Sequence, residues 1–146
     1  VGRDIEIDIY GEGHLLDELK ELAINLDLQV NFLGTLEYQE LKNIYQQYKI
    51  FVSTSLFEGN PKSTIEAMSA GCVPVVSKIP NNIEIIENRK TGILFNYEDN
   101  LGELIESLFQ DVDILSKISL QSYTSILKTN RIEVIAEMDD KTMQKL

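Results

Sequence analysis

The sequence predicts an α/β fold in which a parallel β-sheet carries helices on both faces. Short apolar runs at residues 50–52 and 73–76 have the length and composition of strands buried in a parallel sheet. Longer segments around these runs have apolar residues at helical spacing. Regular alternation between short strands and longer helices is typical of parallel sheets built from strand–helix–strand units.

The first part of the chain is predicted to contain three strands and two helices. Alternating apolar and acidic residues at 4–10 favour a strand with one face more buried than the other. A Gly-Glu-Gly turn follows, and the leucines of residues 14–26 recur at helical spacing, which predicts an amphipathic helix. Predicted strands at 30–33 and 50–53 then flank a predicted helix at 37–48.

The second part of the chain continues this alternation. A helix is predicted at 64–70, because Pro61 suits its first turn and Gly71 suits its C-terminus. Asn81 or Asn82 is expected to cap a short helix that runs through residue 87. The remaining predicted elements are strands at 73–76 and 92–95 and helices from Asp99 or Asn100 to 109, over 112–127, and from about 132 to the end.

The loops that follow the strands are where we expect a ligand. In parallel sheets, ligands bind beyond the carboxyl ends of the strands. Gly11, Gly34, residues 55–61 and Ile79-Pro80 each follow a predicted strand, so we expect all of them along one edge of the sheet.

Bulk properties favour one domain over residues 1–146, a length that is sufficient for a hydrophobic core. The single cysteine, Cys72, fits a reducing compartment, and no apolar run approaches the ~20 residues of a membrane-spanning helix. We therefore expect a cytoplasmic protein, with the inner face of the membrane as the other location considered.

The formal net charge of -11 argues against nucleic acid or an anionic membrane surface as a partner. Any affinity for phosphate must therefore come from local donors.

The most informative stretch contains two carboxylates, Glu58 and Glu66, separated by seven residues. Between them, the backbone N–H groups of Lys62, Ser63 and Thr64 are expected at an open helix N-terminus, which suits a phosphate. A phosphate site flanked by two carboxylates that can accept hydroxyl groups matches a sugar nucleotide. The diphosphate would lie at the helix, with the ribose diol on one glutamate and a sugar hydroxyl on the other.

This stretch resembles the E-x7-E signature of the retaining GT-B glycosyltransferases of group 1, also called family 4. The signature reads here as Glu58-Gly59-Asn60-Pro61, then Glu66-Ala67-Met68-Ser69-Ala70-Gly71, then Pro74-Val75. Two glutamates at this spacing are common, so the order of the other family-like segments carries more weight. Those segments are Tyr10-Gly11-Glu12-Gly13, Asn31-Phe32-Leu33-Gly34-Thr35-Leu36 with Glu40-Leu41, and Ile83-Glu84-Ile85-Ile86-Glu87 with Thr91-Gly92-Ile93-Leu94-Phe95.

The resemblance implies a Rossmann-like donor-binding domain, the C-terminal half of a GT-B fold. Such an enzyme would move a sugar from a UDP- or GDP-sugar to a glycan or lipid-linked acceptor, with retention and without a metal or cofactor. Glu58 is the implied catalytic residue and would contact the donor sugar, while Glu66 would bind the ribose hydroxyls. For Lys62, contact with a phosphate and simple solvation remain equal alternatives. The other implied substrate-binding residues are Gly59, Asn60, Pro61, Ser63 and Thr64 near the diphosphate, and Thr35 and Leu36 near the base.

The sequence also departs from the family pattern at its start. Val1-Gly2-Arg3 resembles the family's opening strand but runs directly into Asp4-Ile5-Glu6, with no helix and no second basic residue between them. We therefore expect a donor domain that is truncated at its N-terminal end and lacks the N-terminal acceptor domain. Acceptor and membrane contacts are expected through that missing domain, and weak donor binding without turnover is expected for the chain alone.

Other interpretations remain open on the residues alone. The main alternative is a non-catalytic, nucleotide-binding-like α/β interaction module. A third interpretation, a flavodoxin-like or receiver-like domain, fits the topology. A receiver needs an acidic cluster and a phosphoacceptor aspartate at a strand end, and the third strand here ends in Ser53-Thr54-Ser55. The dinucleotide fingerprint G-x-G-x-x-G is incomplete because Leu16 occupies its third glycine position. His14 has no second histidine and no cysteine nearby, so a metal site is not expected there, and Cys72 is expected to be a buried, inert thiol.

Overall fold

The structure, a computed structural model, describes residues 5–129. For Tyr38, Gln39 and Lys42 it describes the backbone alone. The predictions for Val1-Gly2-Arg3 and for a last helix from about residue 132 lie outside the described residues. Strands and helices alternate through the rest. The strands are β1 (Ile7–Tyr10), β2 (Val30–Gly34), β3 (Ile50–Ser53), β4 (Val73–Ser77) and β5 (Ile93–Phe95), and the helices are α1 (Leu16–Asn25), α2 (Tyr38–Tyr45), α3 (Lys62–Ser69), α4 (Pro80–Ile83), α5 (Leu101–Gln110) and α6 (Val112–Lys128).

The predicted α/β class with parallel strands is confirmed. β1 pairs with β2, β3 with β4, and β4 with β5, and every one of these pairs is parallel. The strands divide into a two-stranded sheet, β1-β2, and a three-stranded sheet, β3-β4-β5, where one sheet was expected. Apolar patterning identifies a buried strand but does not specify which strand lies beside it. The chain correspondingly divides into two compact units, Val1–Leu41 and Lys42–Leu146.

In the first unit, α1 connects the parallel strands β1 and β2. The loop after β1 is joined to the end of β2 by a hydrogen bond from the Gly11 N–H to the Gly34 carbonyl oxygen at 2.7 Å. Ala23 is the buried residue of α1. The predicted apolar stripe of this helix forms at the expected spacing, with Ala23 buried and Leu16 half-buried. Its other leucines are 42–58% exposed, because spacing defines a helix face and not what covers it. These are Leu15, Leu19, Leu22 and Leu26.

The second unit is organised around β4, whose five residues are all buried. Side chains of successive strand residues point to opposite faces. Val73 and Val75 pack with residues of β5, α5 and α6, whereas Val76 packs with Ile65 and Met68 of α3. This strand is therefore covered by helices on both faces, as the sequence predicts.

Helix α3 ends at the predicted glycine. Gly71 has φ +86°, the left-handed conformation that glycine adopts without strain. The Cys72 N–H donates to the Ala67 carbonyl oxygen and the Gly71 N–H donates to that of Met68, which together form a Schellman motif. The helix therefore stops just before β4 begins.

Helices α5 and α6 begin at side-chain caps. Asn100 accepts a hydrogen bond from the Glu103 N–H, and Asp111 accepts one from the Ile114 N–H. The cap predicted for the short helix was wrong. Helix α4 follows Ile79 without a side-chain cap and ends at Ile83, well before residue 87.

Helices α1 and α2 are also shorter than predicted. α1 starts at Leu16, because His14 and Leu15 form a turn. α2 ends at Tyr45, and the next residues form tight turns in which the Gln47 N–H donates to the Ile44 carbonyl oxygen. No helix among the described residues is long and apolar enough to cross a bilayer.

Gly92 is predicted to be essential for the packing of β5 on β4. A Cβ atom at this position would lie 2.6 Å from Pro74 Cγ and 2.9 Å from the Pro74 carbonyl oxygen. Because backbone atoms cannot move aside cheaply, we expect Gly92→Ala to lower the free energy of unfolding by about 1–3 kcal/mol in urea titrations.

Gly102→Ala is the matched control for this substitution. Its nearest atom would be Asn100 Oδ1 at 3.4 Å, and alanine is the better helix former. We expect no loss of stability for this variant. Equal stability of the Gly92→Ala and Gly102→Ala proteins would contradict the packing described for β5.

Candidate functional site

The candidate site is built on the passage from β3 through a loop to α3. The loop, residues 54–61, begins after Ser53 and ends at Pro61, which directly precedes the helix. Glu58 is half-buried within this loop, and Glu66 lies on α3 one turn after Lys62. Because Ile65 and Met68 are buried in the core of the second unit, the helix is held firmly and its N-terminus has a fixed position.

The N-terminus of α3 presents fewer donors than predicted. The Lys62 N–H donates to the Asn60 carbonyl oxygen at 2.8 Å, so this group is not open to a phosphate. Within the described residues, the N–H groups of Ser63 and Thr64 have no hydrogen-bond partner. No acidic residue lies in the first turn, so the partial positive charge of the helix end is not offset there. Two backbone donors and this charge suit an anion.

Glu66 has an unusual environment for a helix residue. Its side chain is only 12% exposed, and its Oε1 atom is buried without a hydrogen-bond partner among the described residues. Lys62 Nζ lies 3.8 Å from this atom, which is close enough for ion pairing but too long for a hydrogen bond. A buried, unbonded carboxylate oxygen is costly unless a ligand donates to it.

Glu58 is oriented by a serine hydroxyl. Ser55 Oγ donates to Glu58 Oε1 at 2.9 Å, and Ser53 Oγ donates to Ser55 Oγ at 3.3 Å. These serines lie at the carboxyl end of β3, where a ligand of a parallel sheet is expected. One oxygen of Glu58 is thereby held in place.

The loop is also attached to neighbouring parts of the second unit. Ser77 Oγ, at the end of β4, and the Tyr97 hydroxyl, beyond β5, both donate to the Ser55 carbonyl oxygen. Asn81 Nδ2 donates to the Gly59 carbonyl oxygen at 2.8 Å. The loops after β3 and β4 therefore lie together, as expected for adjacent parallel strands.

Ser77, Asn81 and Tyr97 were not predicted to be site residues, and Ser55 was predicted only as part of the loop at the ligand-binding edge of the sheet. Ser77 could have been identified from the sequence, because it is a polar residue at the end of an otherwise apolar strand. No local pattern indicates Tyr97, because it lies 42 residues from its partner Ser55.

The remaining candidates divide between the two units. Gly59, Asn60 and Pro61 lie in the loop that carries Glu58, whereas Thr35 and Leu36 follow β2 in the first unit. A contact between Thr35 or Leu36 and a nucleobase stays a prediction. His14 is exposed. Among residues 5–129, no group of three or more His, Cys, Asp or Glu residues could hold a metal ion.

Cys72 is a structural residue. It is fully buried, its Sγ donates to the Tyr45 carbonyl oxygen at 3.0 Å, and burial raises the pKa of the thiol to about 12. Because the thiolate is the reactive form, this thiol is inert near neutral pH.

The sequence of the chain matches a known protein family. Residues 2–123 match the family described as "Glycosyl transferases group 1". The chain belongs to the group 1 glycosyltransferase family. The GT-B resemblance found in the sequence is thereby confirmed.

Individual proteins that are similar to this chain are also named glycosyltransferases. The chain is 28% identical over 125 residues to the UDP-N-acetylglucosamine--peptide N-acetylglucosaminyltransferase GtfA subunit of Limosilactobacillus reuteri subsp. suis, covering 77% of this chain and 24% of that protein. It is 32% identical over 108 residues to the Escherichia coli UDP-Gal:alpha-D-GlcNAc-diphosphoundecaprenol alpha-1,3-galactosyltransferase, covering 72% and 27%. The chain thus spans about a quarter of the length of these curated glycosyltransferases.

A solved structure of a group 1 protein has the same fold. The C-terminal domain of the group 1 glycosyltransferase LpcC from Francisella tularensis superposes with a TM-score of 0.72 at 26% identity, covering 83% of this chain and 66% of that one. The described residues therefore have the architecture of a GT-B C-terminal domain.

Glu66→Met tests whether the carboxylate of Glu66 contributes to folding. Methionine has a similar shape and is a good helix former, and an apolar group in place of an unbonded polar group is often neutral or stabilising. We expect the free energy of unfolding in urea to be unchanged or higher by up to about 1 kcal/mol.

Glu106→Met provides the control, since Glu106 is a half-buried glutamate on α5. We expect its effect to stay within about 0.5 kcal/mol. A loss above about 1 kcal/mol for Glu66→Met alone would show that its carboxylate has a structural partner.

Proposed function

We propose that this chain is the donor-binding domain of a retaining glycosyltransferase that uses a UDP-sugar. The diphosphate lies at the N-terminus of α3, on the N–H groups of Ser63 and Thr64. Glu66 accepts hydrogen bonds from the ribose hydroxyls, and Glu58 accepts one from the donor sugar.

The observation that carries this proposal is the buried Oε1 atom of Glu66, which has no hydrogen-bond partner among residues 5–129. A ribose diol supplies adjacent hydroxyl donors, which a carboxylate can accept together. Glu66 follows Ser63 and Thr64 by less than one helical turn, so an anion at the helix end and a diol at Glu66 can belong to one ligand. A nucleoside diphosphate has these two groups at such a separation.

The relatives favour uridine over guanosine as the base. The Limosilactobacillus protein is named for UDP-N-acetylglucosamine and the Escherichia coli protein for UDP-Gal. The sequence leaves two alternatives open, a GDP-sugar donor and a non-catalytic interaction module. Titration with nucleotides distinguishes both from a UDP-sugar donor.

The proposed reaction requires the protein to position the donor and to stabilise the charge of the leaving diphosphate. As the bond between sugar and diphosphate breaks, negative charge grows on the diphosphate, and the donors at α3 stabilise that charge. We further propose a glycan or lipid-linked acceptor, held by parts of the enzyme outside this sequence. Retention of the anomeric configuration is the outcome that the family resemblance implies.

Calorimetric or ligand-detected NMR titration with UDP, GDP and ADP tests this proposal. We expect UDP to bind more tightly than GDP or ADP, because the two relatives above are named for UDP-sugars. Glu66→Ala removes the acceptor of the ribose hydroxyls, and we expect it to weaken UDP binding by about tenfold or more.

Glu106→Ala on α5 is the control and should leave the affinity for UDP unchanged. Preferential binding of GDP would correct the proposed base. Absence of binding by any nucleotide, or equal affinity of the wild-type and Glu66→Ala proteins for UDP, would contradict the donor site.

A further inference from the structure

We propose that Ser55 and Tyr97 are positioning residues that set the carboxylate of Glu58 for contact with the donor sugar. This inference rests on the proposed function, because it assigns Glu58 to the sugar. Neither Ser55 nor Tyr97 is required to touch the reacting atoms.

The geometry of Glu58 is consistent with an oriented acceptor. Its Oε1 atom accepts the hydrogen bond from Ser55 Oγ at 2.9 Å. Its other oxygen has no hydrogen-bond partner within residues 5–129. A carboxylate can accept about four hydrogen bonds. Ser55 therefore fixes one oxygen and leaves the second available to a sugar hydroxyl.

The backbone of Ser55 is itself held from both sides. Its carbonyl oxygen accepts hydrogen bonds from Ser77 Oγ at 2.5 Å and from the Tyr97 hydroxyl at 3.1 Å, which uses both lone pairs of that oxygen. The Tyr97 hydroxyl also lies 3.2 Å from the Thr54 carbonyl oxygen. Ser77 is fully buried at the end of β4, so this attachment point is rigid.

Hydrogen bonds hold the part of the loop that precedes Pro61, whose own side chain is buried. Its two large apolar residues, Leu56 and Phe57, are 77% and 84% exposed and contribute little burial. Fixing the Ser55 peptide reduces the freedom of Glu58, three residues later, before a ligand arrives. A preorganised acceptor loses less entropy on binding, so the contribution appears as affinity for the sugar.

The experiment compares UDP with UDP-glucose, UDP-galactose and UDP-N-acetylglucosamine by calorimetry. The quantity measured is the ratio of the Kd of UDP to the Kd of the most tightly bound UDP-sugar. For Ser55→Ala and for Tyr97→Phe, we expect this ratio to fall about three- to tenfold, since each removes one hydrogen bond of the attachment. The affinity for UDP alone should change by less than about twofold, because Glu66 and α3 are untouched.

The controls separate positioning from general damage to the fold. Ser55→Thr keeps a hydroxyl and should restore most of the ratio. Ser107→Ala removes a hydroxyl that bonds to its own helix α5, and Tyr123→Phe makes the matching change on α6; both should leave the ratio unchanged. Tyr97 is 55% exposed, so Tyr97→Phe keeps the test decisive even if Ser55→Ala fails to fold.

The outcomes distinguish this inference from the donor-site proposal. UDP binding that depends on Glu66, together with a ratio that neither Ser55→Ala nor Tyr97→Phe alters, would overturn the positioning role alone. A wild-type protein in which the sugar adds no affinity to UDP would overturn it as well. Failure of UDP itself to bind would contradict the donor site and, with it, this inference.

Discussion

The parallel pairing of β3 with β4 is the constraint on which the candidate site depends. The register sets Ser53 opposite Val76, so the chain leaves both strands at the same end of the sheet. The residue after Val76 is Ser77, and its hydroxyl meets the Ser55 carbonyl oxygen just beyond β3. A shift of one residue would turn Ser77 to the other face and remove this contact. The connection between the strands is α3, so the same pairing also fixes the helix whose N-terminus is open.

Helix α3 serves both the core and the candidate site. Ile65 and Met68 bury one face, whereas the N–H groups of Ser63 and Thr64 have no hydrogen-bond partner in the part of the chain that the structure describes. Glu66 lies between the buried face and the open end of α3, and its almost buried carboxylate is not fully satisfied by the described residues. Such a group lowers stability unless a ligand binds, which is the usual relation between stability and function at binding sites. The firm attachment of the helix to the core makes this arrangement possible.

Much of the fold could be predicted because it depends on local chemistry. The buried run at 73–76, the glycine at Gly71 and the cap at Asn100 each follow from a few neighbouring residues. The division into two sheets could not be predicted, since an apolar run indicates a buried strand but not which strand pairs with it. Within the site, Glu58 and Glu66 were singled out from their spacing, but their roles stay predictions. The hydrogen bond from the Lys62 N–H to the Asn60 carbonyl oxygen depends on the local backbone turn before α3, and the one from Tyr97 to Ser55 depends on tertiary geometry. Residue spacing determines neither of them.

The measurement that tests the donor site most directly is a two-dimensional ¹H–¹⁵N NMR titration of the chain with UDP. Each backbone N–H gives its own signal, so the N–H groups of Ser63 and Thr64 can be observed separately from that of Lys62, which is bonded to Asn60. We expect the signals of Ser63 and Thr64 to shift most strongly and to gain protection from hydrogen exchange, while that of Gly102 on α5 stays in place. Saturable shifts confined to residues away from the N-terminus of α3, with Ser63 and Thr64 unchanged, would contradict the proposal that this helix binds the diphosphate.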